Sequence, residues 1–334
     1  MAGSLSLQTD VVRQHTVPRF LLEGFATLGR GKYPQLYAFD KHNERCFVTN
    51  IMNATVRNTF YNLDDHPERL SLEPLMGIYE SEAAPVIHQL LKYRDIRNLS
   101  GEERYKLAVF VAVQRARTFS EQQRITGLIS AIADKVTAMG ATPEQVAEAL
   151  GFSPEQDSRN IFLRQLVQQT SHIDHLLNKD WYLFETTSDH PFYVSDSPVV
   201  MHNQNDFGPY GNLGLALPGI QIYLPLSSTL TLGMYCPSIR ELQISRKRDL
   251  QRRMAFAPLT LPPGLNPTSR IAKANAFINF HTMKSAPDQV MWLNSQQVLF
   301  SEQYVFCEKD DFALVWKMIS DHQSFKTGLR FTIG

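Results

Sequence analysis

Little in this sequence offers covalent or metal-based scaffolding. Its 334 residues contain three cysteines, Cys46, Cys236 and Cys307, widely spaced and without a C-x-x-C pair. That excludes a disulfide framework and a thiolate zinc cluster, and it predicts a reducing, cytoplasmic location. Net charge is also missing, because 33 Lys and Arg balance 33 Asp and Glu. No overall field draws the chain to nucleic acid or to an acidic membrane, so any such contact needs a local patch. No run approaches the ~18 apolar residues of a membrane span, and the opening residues lack the basic-then-apolar pattern of a signal peptide. No membrane partner is expected. Walker loops, G-x-G-x-x-G after a strand, H-E-x-x-H and G-x-S-x-G are absent too. Kinase, dinucleotide, zincin and α/β-hydrolase chemistry therefore lack support, and no nucleotide cofactor is expected.

What is present reads as an α+β fold. Two β-prone runs around the polar stretch Lys41, His42, Asn43 and Glu44 predict a hairpin. A helix is expected after Ser71, interrupted or kinked near Pro85. From Glu102 to Met139 a nearly glycine-free segment predicts one long helix, whose all-apolar stretch Leu107 to Val113 must be buried on every side. Helical patterning continues to Leu177. The period then changes: Trp181 to Thr187, Phe192 to Asp196, Ile220 to Leu226 and Leu230 to Cys236 are aromatic and β-branched, which predicts a sheet. Helices follow around Arg240 to Arg253, Ser269 to Lys284 and Gln289 to Ser301, and then a strand from Tyr304 to Cys307. With no convincing linker, the expectation is a single α+β domain over 1–334, a mainly helical N-terminal layer packed on a mostly antiparallel sheet.

Four groups of residues can carry chemistry. Gln14 and His15, before Pro18, place an amide and an imidazole on a restrained backbone. Glu73 and Glu80 stand seven apart, on nearly one helix face, where paired carboxylates can hold a cation or act as base. The stripe that begins with Leu107 and Phe110 turns polar at Gln114, Arg117 and Glu121. A buried Arg must be paired, either with an internal acid or with a bound carboxylate or phosphate. Asp196 closes a predicted strand, where side chains project into crevices, although Asp before Ser-Pro also initiates turns. His172 and His175 have helical spacing but no second ligand cluster. Arg246, Lys247, Arg248, Arg252 and Arg253 form a basic run that can touch nucleic acid or nucleotide phosphates, or simply face solvent.

Several of these residues also carry a family pattern. Gln14, His15, Pro18, Leu22 and Phe25, then Phe60-Tyr61, Glu73, Glu80, Gln114, Arg117-Thr118, Ser195-Asp196 with Pro198, Leu224 to Ser227, Leu293-Asn294 and Tyr304-Val305 follow in order. Over residues 12–307 the sequence resembles the family known as domain of unknown function 4238. One departure is Phe119, which stands where that family usually has Pro after Arg-Thr. The resemblance implies no activity, but it selects the polar groups already singled out. Gln14, His15, Glu80, Gln114, Arg117, Asp196 and Asn294 are expected to converge between helices and sheet. Such a set suits metal-assisted phosphoester hydrolysis of a nuclease-like or nucleotide-cleaving kind. In that reading His15, Glu80 and Asp196 hold Mg or Mn or exchange protons, Arg117 clamps phosphate, and Gln14, Gln114 and Asn294 orient. The alternative is a non-catalytic binding or interaction module in which the same groups form a structural network.

Overall fold

The computed structural model describes residues 6–29, 31–63, 70–150, 154–208 and 211–330. The N-terminal part begins with strand β1 (Arg13–His15) and a short helix α1 (Arg19–Leu22), which starts directly after Pro18. The expected hairpin follows as β2 (Gln35–Asp40) and β3 (Arg45–Asn50), and β4 (Val56–Asn58) returns to pair with β1. A fixed-φ segment and a tight pass anchor this region to the sheet. At Gly24 any Cβ would collide with the Leu226 carbonyl, and the Ser228 amide donates to Gly24 O at 2.9 Å.

The helical layer comprises α2 (Glu73–Tyr93), α3 (Gly101–Ala116), α4 (Phe119–Ala138), α5 (Pro143–Leu150), α6 (Pro154–Gln168) and α7 (Ile173–Leu177). Helix α2 runs through Pro85 without interruption. Helix α3 starts at a capping box in which the Ser100 hydroxyl accepts from Glu103 N and the Glu103 carboxylate from Ser100 N. Every residue from Leu107 to Val113 is buried, as their uninterrupted apolarity demands. The single long helix expected from Glu102 to Met139 is instead two. Arg117 ends α3, and Thr118 caps α4 by accepting the Glu121 amide at 3.2 Å. A local side-chain cap thus outweighs continuous helix propensity. Phe119 occupies the first helical position, where Pro would also fit.

The C-terminal part contains β5 (Asp180–Glu185), β6 (Val194–Ser195), β7 (Val200–Asn203), β8 (Ile220–Ser227), β9 (Leu230–Tyr235), α8 (Pro237–Phe256), α9 (Pro267–Ile278), β10 (Met283–Lys284), α10 (Pro287–Phe300), β11 (Tyr304–Cys307) and α11 (Ala313–Asp321). Its strands sort into two sheets, not one. A five-stranded sheet has the order β10-β5-β9-β8-β7, antiparallel except for the β10–β5 pair. A four-stranded sheet, β3-β2-β11-β6, joins the N-terminal hairpin to the C-terminal strands. Trp181 to Phe184 and all of β9 are buried, so the larger sheet is covered on both faces. One hydrophobic cluster extends from Val17 through the helical layer and the sheet to Phe306. The architecture is α+β.

Candidate functional site

Strand β1 brings the first polar pair to the helical layer. Gln14 is fully buried and spent on structure. Its carbonyl oxygen accepts from Tyr61 N at 2.7 Å, and its amide donates to Val11 O at 3.0 Å and Asn62 Oδ1 at 2.9 Å. The Tyr61 hydroxyl lies 3.1 Å from His15 O and 3.3 Å from Arg117 O, which ties β1 to the end of α3. There the polar stripe of α3 forms a chain of bonds. Gln114 donates to Thr16 O at 2.9 Å and accepts from Arg117 Nε at 2.7 Å. Arg117, 1% exposed, reaches across to α2 and donates Nη1 to Glu80 Oε1 at 2.7 Å, while Glu80 remains 28% exposed. Glu80 is therefore the solvent-reached partner of the pair and Arg117 the buried one. Glu121 does not join this chain; it belongs to α4 and pairs with Arg124.

The electrostatics around Glu80 are unbalanced. Burial and the neighbouring Glu80 charge push Glu73 up to about 7, against the opposing pull of Arg117 and Arg19. Burial and Arg19 together lower the pKa of His15, so its imidazole is neutral at pH 7. Two nitrogens here are buried with no hydrogen-bond partner, His15 Nε2 and Arg117 Nη2. A native fold pairs nearly all such atoms, and unpaired ones mark a strained or functional place. Four groups with different chemistry thus share one region: the His15 imidazole, a Glu73 carboxyl that titrates near neutrality, the Glu80 carboxylate in its ion pair and the Arg117 guanidinium.

Asp196 and Asn294 are not part of it. The structure divides the seven expected residues into separate hydrogen-bond networks. Asp196 Oδ1 accepts from Glu302 N at 2.8 Å, and Oδ2 accepts from Gln303 N at 2.8 Å and Tyr304 N at 2.9 Å. The carboxylate pins the turn from α10 into β11. Burial raises its pKa, while those three amides and the Lys41 ammonium oppose the shift. Asn294 accepts from Tyr193 N at 2.8 Å and donates to Pro191 O at 2.9 Å, stapling α10 to the chain before β6. Gln297 does the same, accepting from Ser195 Oγ and donating to Pro198 O. Lys41, which the sequence presents as part of a polar turn, is fully buried. Its ammonium donates to Val298 O at 2.8 Å and Ser301 O at 2.7 Å at the C-terminus of α10, and burial lowers its pKa to about 8. Asp196 is thus committed to backbone amides rather than to a shared ligand set with His15 and Glu80. Among the described residues no group of three or more His, Cys, Asp or Glu side chains is placed to hold a metal ion.

The remaining candidates lie on the surface. His172 and His175 are exposed and stack on each other, ring centroids 6.3 Å apart. Arg246, Arg248, Arg252 and Arg253 are exposed on α8 and Lys247 is half-buried, with Arg253 paired to Asp249 at 2.9 Å. A groove of about 570 Å³ between α8 and α9 gathers Arg246 and Lys247 with Arg270 and Lys273, over an apolar floor that includes Leu250 and Phe277. Arg270 and Lys273 escape a reading of the α8 run alone, because only the packing of α9 adds them to it.

The family model described as Protein of unknown function (DUF4238) matches residues 13–311. The chain belongs to this family. No curated protein and no solved structure matches the chain. The DUF4238 match covers both polar networks, the one around Glu80 and Arg117 and the one around Asp196 and Asn294. No helix among the described residues is long and apolar enough to cross a membrane.

Proposed function

We propose that this DUF4238 protein is a phosphoester hydrolase whose site is built by His15, Glu73, Glu80, Gln114 and Arg117. The observation that carries this reading is Glu73, a carboxyl held near neutral pKa beside the Glu80–Arg117 ion pair. A general base works best when its pKa lies near the operating pH. Glu73 takes the proton of the attacking water. Arg117 supplies its unpaired Nη2 to the phosphate oxygens, with Gln114 fixing the guanidinium through Nε. Glu80, the more exposed partner, is the side chain that yields to the incoming phosphate. His15 offers its unpaired Nε2 to the same group. Two carboxylates on one helix face, completed by substrate oxygens, also suit a divalent ion, so Mg and Mn belong in the test. The groove between α8 and α9 supports a polyanionic substrate such as nucleic acid, because it concentrates four cations beside one acid. The free cysteines fit a reducing, cytoplasmic setting.

A second reading has its own observation. Gln14, Asp196 and Asn294 are fully committed to the protein's own backbone and side chains, as expected of a non-catalytic module with a structural polar network. Hydrolysis of a chromogenic phosphodiester, single-stranded RNA and DNA, followed with EDTA, Mg²⁺ and Mn²⁺, separates the two. The hydrolase reading expects a rate that rises with pH to a half-maximum near 7, and a loss of about 10²–10⁴-fold in Glu73→Gln. No hydrolysis under any of these conditions, with the variant folded like the wild type, would favour the binding module.

A further inference from the structure

A separate cavity, of about 210 Å³, opens between β4, the start of α4 and the β3-β2-β11-β6 sheet. Its walls carry four aromatic rings, Phe47, Phe119, Tyr304 and Phe306, and one cation, Arg57. The Arg57 guanidinium carbon sits 3.4 Å above the centre of the Phe119 ring. Stacking of this kind uses the face of the planar cation and leaves its N–H edge open. Among the described residues none of those N–H groups finds an acceptor and none forms an ion pair with Arg57. Two carboxylates act on Arg57 through space, Asp196 on the cavity wall and Glu302 beyond it, but neither pairs with it. Asp196 accepts three backbone amides, and Glu302 is held by Arg330 and Gly328 N. Two more donors on the cavity wall, the hydroxyls of Thr49 and Tyr304, also have no hydrogen-bond partner among the described residues. The cavity therefore combines an immobilised, half-buried cation with unspent donors and apolar flat walls.

We infer that this cavity binds a small oxyanion carried on a flat aromatic body, an aryl carboxylate or aryl phosphate, with Arg57 as the anion clamp. Arg57 is held in place before the ligand arrives, because the Phe119 ring already fixes its plane. Little side-chain entropy is then lost on binding. The volume, about 210 Å³, suits one ring and its anionic head. This site is independent of the hydrolytic proposal: it uses none of His15, Glu73, Glu80 or Arg117.

Thermal melts and calorimetric titration of the full chain test it with four probes: benzoate, phenyl phosphate, inorganic phosphate and benzyl alcohol. The expected result is that benzoate or phenyl phosphate raises the melting temperature and binds, and whichever is tighter identifies the head group. Inorganic phosphate binds more weakly, and benzyl alcohol has no effect. In Arg57→Met the shift disappears while the ligand-free melt falls only slightly, since the methionine side chain can keep an apolar contact with the Phe119 ring. The inference is overturned if neither aryl anion binds, if benzyl alcohol matches them, or if Arg57→Met keeps the shift. Should Arg57→Met fail to fold, Arg57→Lys takes its place. Lysine keeps the charge but loses the planar fork and the stack, so binding weakens by about tenfold or more, and unchanged affinity would refute the clamp.

Discussion

Two polar clusters in this protein use the same residue types and are built in opposite ways. Around α10 and β11, Asp196, Asn294, Gln297 and Lys41 spend their polar atoms on backbone amides, carbonyls and one hydroxyl. Between β1, α2 and α3, the cluster of His15, Glu73, Glu80 and Arg117 leaves two buried nitrogens unpaired and one carboxyl far from its usual pKa. Both contain acids, amides and a buried cation, so composition does not tell them apart. What separates them is whether the desolvation cost of each group is offset inside the fold. The closed cluster holds elements together; the open one carries an unmet cost that a ligand can relieve.

That contrast breaks most visibly at Asp196. Asp196→Ala leaves three amides and the Lys41 ammonium without their acceptor or counter-charge, and stability should fall by about 3–5 kcal/mol. Urea unfolding measures it, and a loss below about 1 kcal/mol would remove Asp196 from the closed cluster. Asn294→Leu, which frees Tyr193 N and Pro191 O, should cost about 2 kcal/mol by the same measurement. At the open cluster the expectation reverses in kind. His15→Ala removes a ring whose Nε2 has no partner, so it should cost no more than about 1.5 kcal/mol while abolishing the proposed phosphoester hydrolysis. A collapse as large as that of Asp196→Ala would show that His15 is structural.

Part of this was legible in the residues themselves. The all-apolar run Leu107 to Val113 announces total burial, and the arginine that follows it announces a partner, which proves to be Glu80 on the neighbouring helix. The hairpin and the strand from Tyr304 to Cys307 follow from β-prone composition and polar turns. Other features depend on contacts that no local pattern records. Lys41 looks like a solvated turn residue because the carbonyls it caps lie at Val298 and Ser301, far along the chain. Asp196 looks available because its three donors are backbone amides at 302–304, and an amide is the same for every residue but proline. The sorting of C-terminal strands into two sheets is equally non-local, since β11 chooses the N-terminal hairpin as its neighbour.

Glu73→Gln gives the smallest expected change in stability and the sharpest test of the contrast. In the folded protein Glu73 titrates near 7, above the ordinary glutamate value of 4.5, because burial and Glu80 disfavour its charge. A raised carboxyl pKa favours the fold when the group is protonated. Its contribution is fully present below 4.5 and is lost as pH rises through about 7. Gln keeps the shape and the neutral state at every pH. The variant and the wild type should therefore be equally stable at pH 4, and the variant should gain on the wild type above pH 5. Because Glu73 is only partly buried, the gain at pH 8 is about 1 kcal/mol rather than the full value of the shift. The open cluster would then be a place where stability is held below what one substitution restores, while the proposed hydrolysis falls about 10²–10⁴-fold with the same substitution. If the two stability curves run parallel from pH 4 to pH 8, Glu73 carries no unmet cost, and the distinction between the two clusters fails at its central residue.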